Sequence, residues 1–600
     1  MRIPLLLSLL PAFVLALTPA DYSAYTLFES HPAPEGWRQL STAPSPSTPI
    51  TLRFHLTTSY SDLERELLTV SDPTHPRYGD YRSRESLAVL TAPANNAVET
   101  VLEWLQSTTP DVTVDGDVIK VRLTIAEAEH LLRTKYATFQ NDDDGRTLVR
   151  TLSYSVPEVV KPYLATVQPT NMFTLRKLNS HIVPLHVTDA ENERLAPFSA
   201  KAEADFSIAS APSCNATVTL ECLAALYGFA DYDATGKADV GVSGFLEQYA
   251  QYDDLQIFLQ KYRPEAVGTN FTVVSVNGGQ NLQNVNGTDN ISEANLDIQY
   301  AVGISYPAKN TYYTTAGRPP FIPDLDVTIN DSEPYLEYLE YLLKQDKLPT
   351  VISTSYGESE QTVPLSYRHT VCDLLGRLGA RGVSVIFSAG DSGPGWSCRS
   401  NDGKNTPKFL PQFPAACPWV TSVGGTHHVD PEEAIYFSSG GFSETWEVPD
   451  YQRKAVKTFF ESHPEAWQPF TKYFNRCGRG FPDVAGQANN YEVILHGAKQ
   501  LIGGTSASAP MFSGIIALVN DYRLKMGKKP LGFLNPLLYN RPDAFTDIVN
   551  GRSSGCDGTT WGKPIAGNPA IIPGAGWNAT TGWDPSTGLG TPKFEVLKNI

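Results

Sequence analysis

The stretch GGTSASAP, at residues 503–510, has the composition expected around a nucleophilic serine. It follows the apolar run YEVIL and precedes the apolar run MFSGIIALV, a pattern that predicts a strand, a tight turn and then a helix. Ser506 would lie where the turn meets the helix N-terminus, which makes it a candidate nucleophile or, alternatively, an ordinary N-cap. A nucleophilic serine needs a base to accept its proton, and that base is usually histidine.

Histidine does not fill this role in the sequence. Five of the 11 histidines lie beyond residue 208, and none of them stands in the H-G-T-x-V-A setting of a subtilisin-type helix. His496 comes nearest, but it precedes Ser506 by only ten residues, so we interpret it as a structural or surface residue. The stretch also departs from the G-x-S-x-G nucleophile elbow, because Ser508 occupies the position of the last glycine.

A pair of carboxylates offers another base. Glu293 and Asp297 stand in NISEANLDIQYAVGI, residues 290–304, and positions i and i+4 share one face of a helix. The apolar neighbours of the pair predict that this helix is partly buried. Buried paired carboxylates share a proton, so one of them could act as a general base in acid, where histidine would be protonated. Two ordinary acids on a surface helix are the simpler interpretation.

A third acidic residue, Asp391, lies in the turn sequence SAGDSG, residues 388–393. The preceding run VSVIF predicts a buried strand, so Asp391 would lie at the C-terminal end of that strand. An Asp-Ser-Gly turn needs no further explanation, but a protonated carboxyl at this place could donate a hydrogen bond to a developing oxyanion. Acidic conditions would favour the proposed chemistry of all three motifs.

The elements that must position these residues alternate along the second part of the chain. From about residue 209 onward, strand-like runs such as PTVISTSYG and WVTSVGGT are separated by helix-like stretches such as YLEYLEYLLKQ. This alternation predicts an α/β domain whose mostly parallel sheet is flanked by helices. Gly-rich turns at the strand ends are where such folds place chemistry.

The first part of the chain predicts a separate domain. Residues 21–173 lack cysteine, and strand-like TLRFHLTT and VDGDVIKVRLT are each followed by a helix-like segment. This pattern predicts an α+β domain with a split βαβ arrangement. Residues 174–208 are polar with little periodicity, which predicts an exposed linker open to cleavage or, alternatively, a long surface loop. Cleavage there would remove an inhibitory first domain.

Composition and the N-terminus predict a secreted protein. The chain of 600 residues has a formal charge of −17, which argues against a nucleic-acid or anionic-membrane partner and fits either solubility or work in acid. Residues 1–20, MRIPLLLSLLPAFVLALTPA, predict a signal peptide, and no later run reaches the roughly 18 apolar residues of a membrane helix. Six sequons fit a glycosylated surface: Asn215, Asn270, Asn286, Asn290, Asn330 and Asn578.

The seven cysteines all lie at or beyond Cys214. Their spacing matches no zinc pattern, so disulfides are the favoured interpretation. Cys214 and Cys222 could close a short loop, and the odd number leaves at least one thiol unpaired within the chain. The remaining connectivity stays open at this point.

Taken together, the motifs resemble the sedolisins, which are serine-carboxyl peptidases with a subtilisin-like fold. GTSAS with Pro510, the Glu293–Asp297 pair and SAGDSG follow the order of that family, and the resemblance covers nearly the whole chain. Residues 71–87 and 152–161 resemble parts of its ferredoxin-like pro-domain, and CLAALYGF, residues 222–229, resembles the start of the mature enzyme. The implied organisation is a signal peptide at 1–20, a pro-domain at 21–173, a linker with the activation cleavage at 174–208 and a peptidase domain at 209–600.

The resemblance also implies a role for each candidate residue. Ser506 would be the nucleophile that forms an acyl-enzyme, and Glu293 would be the general base and later the acid. Asp297 would orient Glu293, and Asp391 would help to stabilise the oxyanion together with a backbone N–H near Ser506. The pro-domain would act as an intramolecular inhibitor until the enzyme reaches acid.

One structural calcium ion is implied near the C-terminus. Its side-chain ligands would be Asp547 and Asp584, and its backbone ligands would be the carbonyls of Ile548, Thr580 and Gly582. Such hard oxygen ligands on flexible loops suit calcium. Many relatives have Gly-x-Gly before the Trp-Asp pair, so Thr580 is where this chain departs from the pattern. For Asp584 alone, a turn before the following proline is the alternative interpretation.

Within the family, the segment from Glu293 to Asp324 is most similar to secreted fungal tripeptidyl peptidases, which remove tripeptides from free N-termini. We therefore expect an extracellular, monomeric enzyme that acts on peptides and proteins. An acid endopeptidase is the alternative within the family, because spacing does not show whether the cleft is blocked beyond the third subsite. A non-catalytic secreted binding protein is the alternative from another class. A lipase-like esterase is disfavoured because no histidine follows His496.

Overall fold

The computed structural model describes residues 21–58, 60–142, 145–173, 183–185, 212–288 and 290–600. The signal peptide expected at 1–20 lies outside these residues, as does the expected linker at 174–208 apart from Val183–Leu185, which pairs with a strand of the second domain. Within the described residues, no helix combines the length and the apolar character that crossing a membrane requires.

The first domain contains a four-stranded antiparallel sheet covered by helices. The strands are β1 (Pro49–Leu56), β2 (Val112–Asp115), β3 (Val118–Thr124) and β4 (Leu164–Gln168), in the spatial order β2-β3-β1-β4. The helices are α1 (Tyr60–Ser71), α2 (Arg84–Leu90), α3 (Asn95–Gln106) and α4 (Ile125–Leu131). The four strands with α3 and α4 follow the β-α-β-β-α-β order of a ferredoxin-like domain, as expected for the region that resembles a pro-domain. Five further strands form a two-stranded and a three-stranded sheet: Tyr25–Ser30, Trp37–Gln39, Ala137–Asn141, Thr147–Arg150 and Ser153–Pro157.

Local sequence explains two features of this first domain. Alternate residues of β1 and β3, such as Leu52, Phe54 and Ile119, enter one apolar core with Trp104 of α3, as the period of a strand requires. Helix α4 begins with a capping box, in which Thr124 and Glu127 satisfy each other's backbone N–H groups.

The second domain contains an eight-stranded sheet that is parallel except at one edge. Its labelled strands are β5 (Asp239–Gly244), β6 (Thr272–Val276), β7 (Lys309–Thr315), β8 (Val351–Thr354), β9 (Ser384–Ser388), β10 (Thr421–His427), β11 (Glu433–Ala434) and β12 (Val484–Gln487). The order is β6-β7-β5-β8-β9-β10-β11, and β12 also pairs with β10. Only the β10–β11 pair is antiparallel. The predicted mostly parallel sheet is therefore confirmed.

Helices cover both faces of this sheet, as its buried β-branched strands require. They include α5 (Tyr252–Tyr262), α6 (Ser292–Ser305), α7 (Tyr335–Leu343) and α8 (Leu365–Ala380). Beyond β12, the hairpin β13 (Tyr491–Leu495) and β14 (Ala498–Gly503) leads into α9 (Thr505–Lys525). Helices α6 and α9 are buried over nearly their whole length. They approach closely because Gly514 has no side chain where it meets Ile304.

The two domains are joined by an apolar and ionic interface. Leu63 and Leu67 of α1 lie in the same apolar cluster as Trp419 and Phe533 of the second domain. Beside this cluster, Arg53 of β1 forms ion pairs with Glu337 and Glu340 of α7, at 2.8 and 3.1 Å. The first domain thus packs tightly against α7 and α8.

A buried histidine lies in the same interface. His55 Nδ1 is 3.4 Å from a Glu340 carboxylate oxygen, and three cations, Arg53, Arg377 and Lys344, lie near the ring. Burial and these cations lower the pKa of His55 to about 3. The imidazole is therefore neutral in the assembled chain down to strongly acidic pH.

Three disulfides staple the second domain. Cys214–Cys222 closes the short loop that the sequence predicted, and Cys372–Cys417 and Cys398–Cys556 join distant segments. Cys477 is unpaired and exposed, which accounts for the odd number of cysteines.

Candidate active site

The candidate nucleophile and base come together across the interface of two buried helices. Ser506 is the second residue of α9, and Glu293 is the second residue of α6. Ser506 Oγ donates to Glu293 Oε2 at 3.2 Å, although the two residues are 213 positions apart in sequence. The structure therefore gives Ser506 a carboxylate where a histidine would usually lie.

Glu293 and Asp297 form the expected pair one turn apart on α6. Both side chains are almost completely inaccessible to solvent, at 1% and 0% exposure. Burial raises the pKa of both carboxyls well above the usual range, and the charge of Asp297 raises that of Glu293 further. Two such carboxyls do not both ionise readily in acid, so the pair holds a shared proton and titrates as a unit.

Ser355 is a member of the site that sequence reasoning missed. It follows the last residue of β8, and its Oγ donates to Asp297 Oδ1 at 2.6 Å, which lowers the pKa of that carboxyl relative to burial alone. Its own carbonyl oxygen lies 3.4 Å from Ser506 Oγ. The available signal was its place at the end of a buried strand of the parallel sheet, where such folds collect functional side chains.

Asp391 lies at the end of β9 and is fixed by the residue before the nucleophile. The backbone N–H and the hydroxyl of Thr505 both donate to Asp391 Oδ1, at 2.7 and 2.8 Å. The same hydroxyl accepts a hydrogen bond from the Gly390 N–H at 3.0 Å. These bonds fix the turn that carries Asp391 against the N-terminus of α9.

The glycine before α9 is required at its position. Gly504 has a φ of +140°, and a Cβ there would lie 2.9 Å from the second carboxyl oxygen of Asp391. Any side chain would thus meet both backbone strain and a clash. The sequence GGTS brings the backbone close enough for Asp391 and Ser506 to share one side of the turn.

The serine lies on the wall of a cleft with a strongly acidic lining. Asp326, Asp331, Glu358 and Asp391 line it together with Ser506, and among the described residues no lysine, arginine or histidine does so. Apolar side chains, including Val327, Trp396 and Leu410, complete the lining. Apolar walls with a few polar groups are typical of a binding cleft, and the charge of this cleft favours a cationic group in its ligand.

Two other residues that the sequence analysis considered, His496 and Ser508, do not contact the nucleophile or the carboxyl pair. His496 is in the turn between β13 and β14, where its ring nitrogen Nε2 lies 3.0 Å from the Gly287 carbonyl, so the interpretation as a structural or surface residue holds. Ser508 donates to the carbonyls of Gly486 and Gln487, each at 3.1 Å. Ser508 therefore ties α9 to β12 instead of facing the nucleophile.

The residues proposed for calcium come together in one loop region. The Gly582 N–H donates to Asp547 at 2.8 Å, and the Thr580 N–H donates to Asp584 at 2.9 Å. No backbone hydrogen bond reaches the carbonyl oxygens of Ile548, Thr580 or Gly582 from the residues that the structure describes. Two carboxylates beside three uncommitted carbonyl oxygens are a donor set that fits calcium.

Comparisons with known proteins give three kinds of match. The family description "Pro-kumamolisin, activation domain" fits residues 35–173, and "Subtilase family" fits residues 326–530. Tripeptidyl-peptidase SED2 of Arthroderma otae is 44% identical over 98% of this chain and 98% of its own length. Probable tripeptidyl-peptidase SED3 of Arthroderma benhamiae is also 44% identical, over 99% and 98%. The solved Pseudomonas sedolisin matches 63% of this chain and 95% of its own, at 20% identity and a TM-score of 0.46.

Proposed function

Because the chain belongs to the sedolisin family of serine-carboxyl peptidases, we propose that it removes tripeptides from the free N-termini of peptides in acid. The observation that carries the proposal is the hydrogen bond from Ser506 Oγ to Glu293 Oε2, 3.2 Å long. Relatives named as tripeptidyl peptidases, which match over almost the whole chain, support the substrate class.

The first half of the reaction forms an acyl-enzyme. Ser506 Oγ attacks the scissile carbonyl carbon while its proton passes to Glu293, which must therefore be ionised at the start of the step. The C–O bond forms, the carbonyl electron pair moves to oxygen, and a tetrahedral intermediate results. When this intermediate collapses, the C–N bond breaks and Glu293 returns the proton to the leaving amine.

The second half repeats these transfers with water. Glu293 takes a proton from a water molecule, whose oxygen attacks the acyl carbon. Collapse releases the tripeptide acid, and Ser506 recovers its proton from Glu293. Asp297 supports the charge changes of Glu293 by sharing a proton with it, and Asp391, which lines the same cleft as Ser506, assists the oxyanion.

Several further properties belong to this proposal. The first 20 residues direct secretion, residues 21–173 inhibit the enzyme, and cleavage within 174–208 activates it outside the cell as a monomer. One calcium ion, held by Asp547 and Asp584 with the carbonyls of Ile548, Thr580 and Gly582, ties the C-terminal loops together. When bound, it contributes charge neutralisation and rigidity, and no step of the reaction passes through it.

The proposal is tested with pairs of peptides that differ only in an acetyl group on the N-terminus. The activated enzyme is expected to cleave the free peptide after its third residue and to cleave the acetylated peptide at least tenfold more slowly. Equal cleavage of both would favour an acid endopeptidase. A pH–rate profile peaking near neutrality would contradict the carboxylate base, since Glu293 is proposed to serve where imidazole is protonated.

A further inference from the structure

The acidic cleft contains one carboxylate that the proposed chemistry does not use. Glu358 lines the cleft together with Ser506, yet its side chain is buried, with 7% of the residue exposed. Neither of its carboxylate oxygens accepts a hydrogen bond from an amide, hydroxyl or cationic group of the described residues. Buried charged groups normally have such partners, whereas the polar neighbour of Glu358 is a second carboxyl group, that of Glu333.

The surroundings of Glu358 favour a cationic partner. Glu333 and Asp331 are close enough for their charges to add to the effect of burial, and together they raise the pKa of Glu358 well above its usual range. Among the described residues that line the cleft, none has a basic side chain. A cation supplied by the substrate would offset both the free-energy cost of burying the Glu358 charge and its repulsion by the neighbouring carboxyl groups.

The position of Glu358 along the chain limits its distance from the nucleophile Ser506. Ser355, three residues earlier, places its carbonyl oxygen 3.4 Å from Ser506 Oγ. An extended chain advances about 3.3 Å per residue, so Glu358 lies at most about 10 Å further along the cleft. Three extended substrate residues span the same distance, on the order of 10 Å, between the scissile carbonyl and a free N-terminus.

We propose that Glu358 binds the α-ammonium group of the substrate and thereby limits the released fragment to three residues. The proposal rests on the peptidase function given above and adds the residue that measures the substrate. An acetylated N-terminus carries no charge, so it gives Glu358 no cation to bind and gains none of this attraction. A longer N-terminal extension would have to place peptide carbonyl groups beside the carboxylate, which is unfavourable.

The test compares Glu358→Gln with the parent enzyme on free and N-acetylated forms of one peptide. We expect the ratio of kcat/KM for the free peptide to that for the acetylated peptide to fall about 10- to 100-fold, as loss of a hydrogen bond to a charged group implies. Mass spectrometry of the products is expected to show fragments other than tripeptides. Asp326→Asn is the matched control, because Asp326 lines the same cleft but already accepts from the Ser397 N–H and hydroxyl.

Three other results would contradict the assignment of Glu358 as the ammonium-binding residue. An unchanged ratio in Glu358→Gln, or an equal loss on both peptides, would overturn the assignment. A changed preference for basic side chains with an unchanged ratio would also overturn it. If Glu358→Gln does not fold, Glu358→Ala, which also removes the carboxylate, is measured in the same way, and an unchanged ratio there would count equally against the proposal. Failure of the tripeptidyl function itself would appear separately, as equal cleavage of both peptides by the parent enzyme.

Discussion

The Ser355 hydroxyl donates to Asp297 at 2.6 Å, the shortest polar contact between the side chains of the candidate active site. The bond stabilises the ionised form of Asp297, while burial favours its protonated form. Ser355 thus acts on the base Glu293 indirectly, through Asp297. It is a positioning residue whose hydrogen bond sets how easily the carboxyl pair loses its first proton.

Replacing Ser355 with alanine is expected to shift the acid limb of the kcat/KM profile to higher pH. Without the hydroxyl, the pKa of Asp297 rises, so the carboxyl pair holds both protons up to a higher pH and the base form appears later. The profile is measured with a free tripeptide substrate. Ser353→Ala is the matched control, because that buried hydroxyl on the same strand has no hydrogen-bond partner among the described residues. An identical shift in both variants would contradict the role of Ser355.

Ser506→Ala is expected to abolish both peptide cleavage and release of the first domain. The variant loses the only atom proposed to attack the carbonyl, so residual activity should fall by several orders of magnitude. Ser508→Ala is the control from the same helix turn. It loses buried hydrogen bonds worth about 1 kcal/mol of stability but should still mature and cleave. Maturation of purified Ser506→Ala at the parent rate would show that another residue is the nucleophile.

His55 is expected to weaken the contact between the two domains in acid. Its pKa is about 3 in the assembled chain, against about 6.5 when exposed. A depressed pKa contributes stability that is present above pH 6.5 and is lost as the pH falls towards 3, at roughly 1 kcal/mol per pH unit. Glu340 opposes this trend, because burial raises its pKa to about 7.

The contribution of His55 is isolated by differential scanning calorimetry of the Ser506→Ala zymogen at pH 7 and pH 4.5. His55→Gln is expected to reduce the drop in Tm between the two conditions. His130→Gln is the control, since His130 is exposed on α4. If the Tm drops equally in the parent and in His55→Gln, His55 does not contribute to the loss of stability in acid.

Removing calcium is expected to lower the Tm of the mature enzyme and to leave the shape of its pH–rate profile unchanged. A chelator tests the parent, and Asp547→Asn should make the protein respond weakly to both chelator and added calcium. Asp543→Asn is the control, because that nearby exposed acid is paired with Arg541. A Tm that is insensitive to chelator and calcium would argue against the site.

The sequence predicted most of the active site because its residues stand at recognisable ends of elements. Glu293, Asp391 and Ser506 each begin a helix or follow a buried strand, and parallel strands deliver their carboxyl ends to one edge. Ser355 could not be distinguished in the same way. It stands in VISTSYG among several polar residues, and only the packing of α6 against the sheet selects the one that meets Asp297.

Features that depend on distant packing were not predictable. The partners of Cys372 and Cys398 are 45 and 158 residues away, and their spacing contains no local signal. In the sequence, His55 is one polar residue of an alternating strand and has no feature that predicts burial. It is buried because α7 and α8 pack against the first domain. Glu358 similarly becomes distinctive only through the carboxyls that the fold places around it.

The close packing of α6 and α9 has a consequence for how the enzyme should fail on heating. Nucleophile and base are carried by the two helices whose backbones approach where Gly514 meets Ile304, so their alignment belongs to the core and not to a surface loop. Local opening of loops would leave that alignment intact. Thermal inactivation should therefore coincide with global unfolding, and the half-life at high temperature should follow the unfolding rate of the whole second domain.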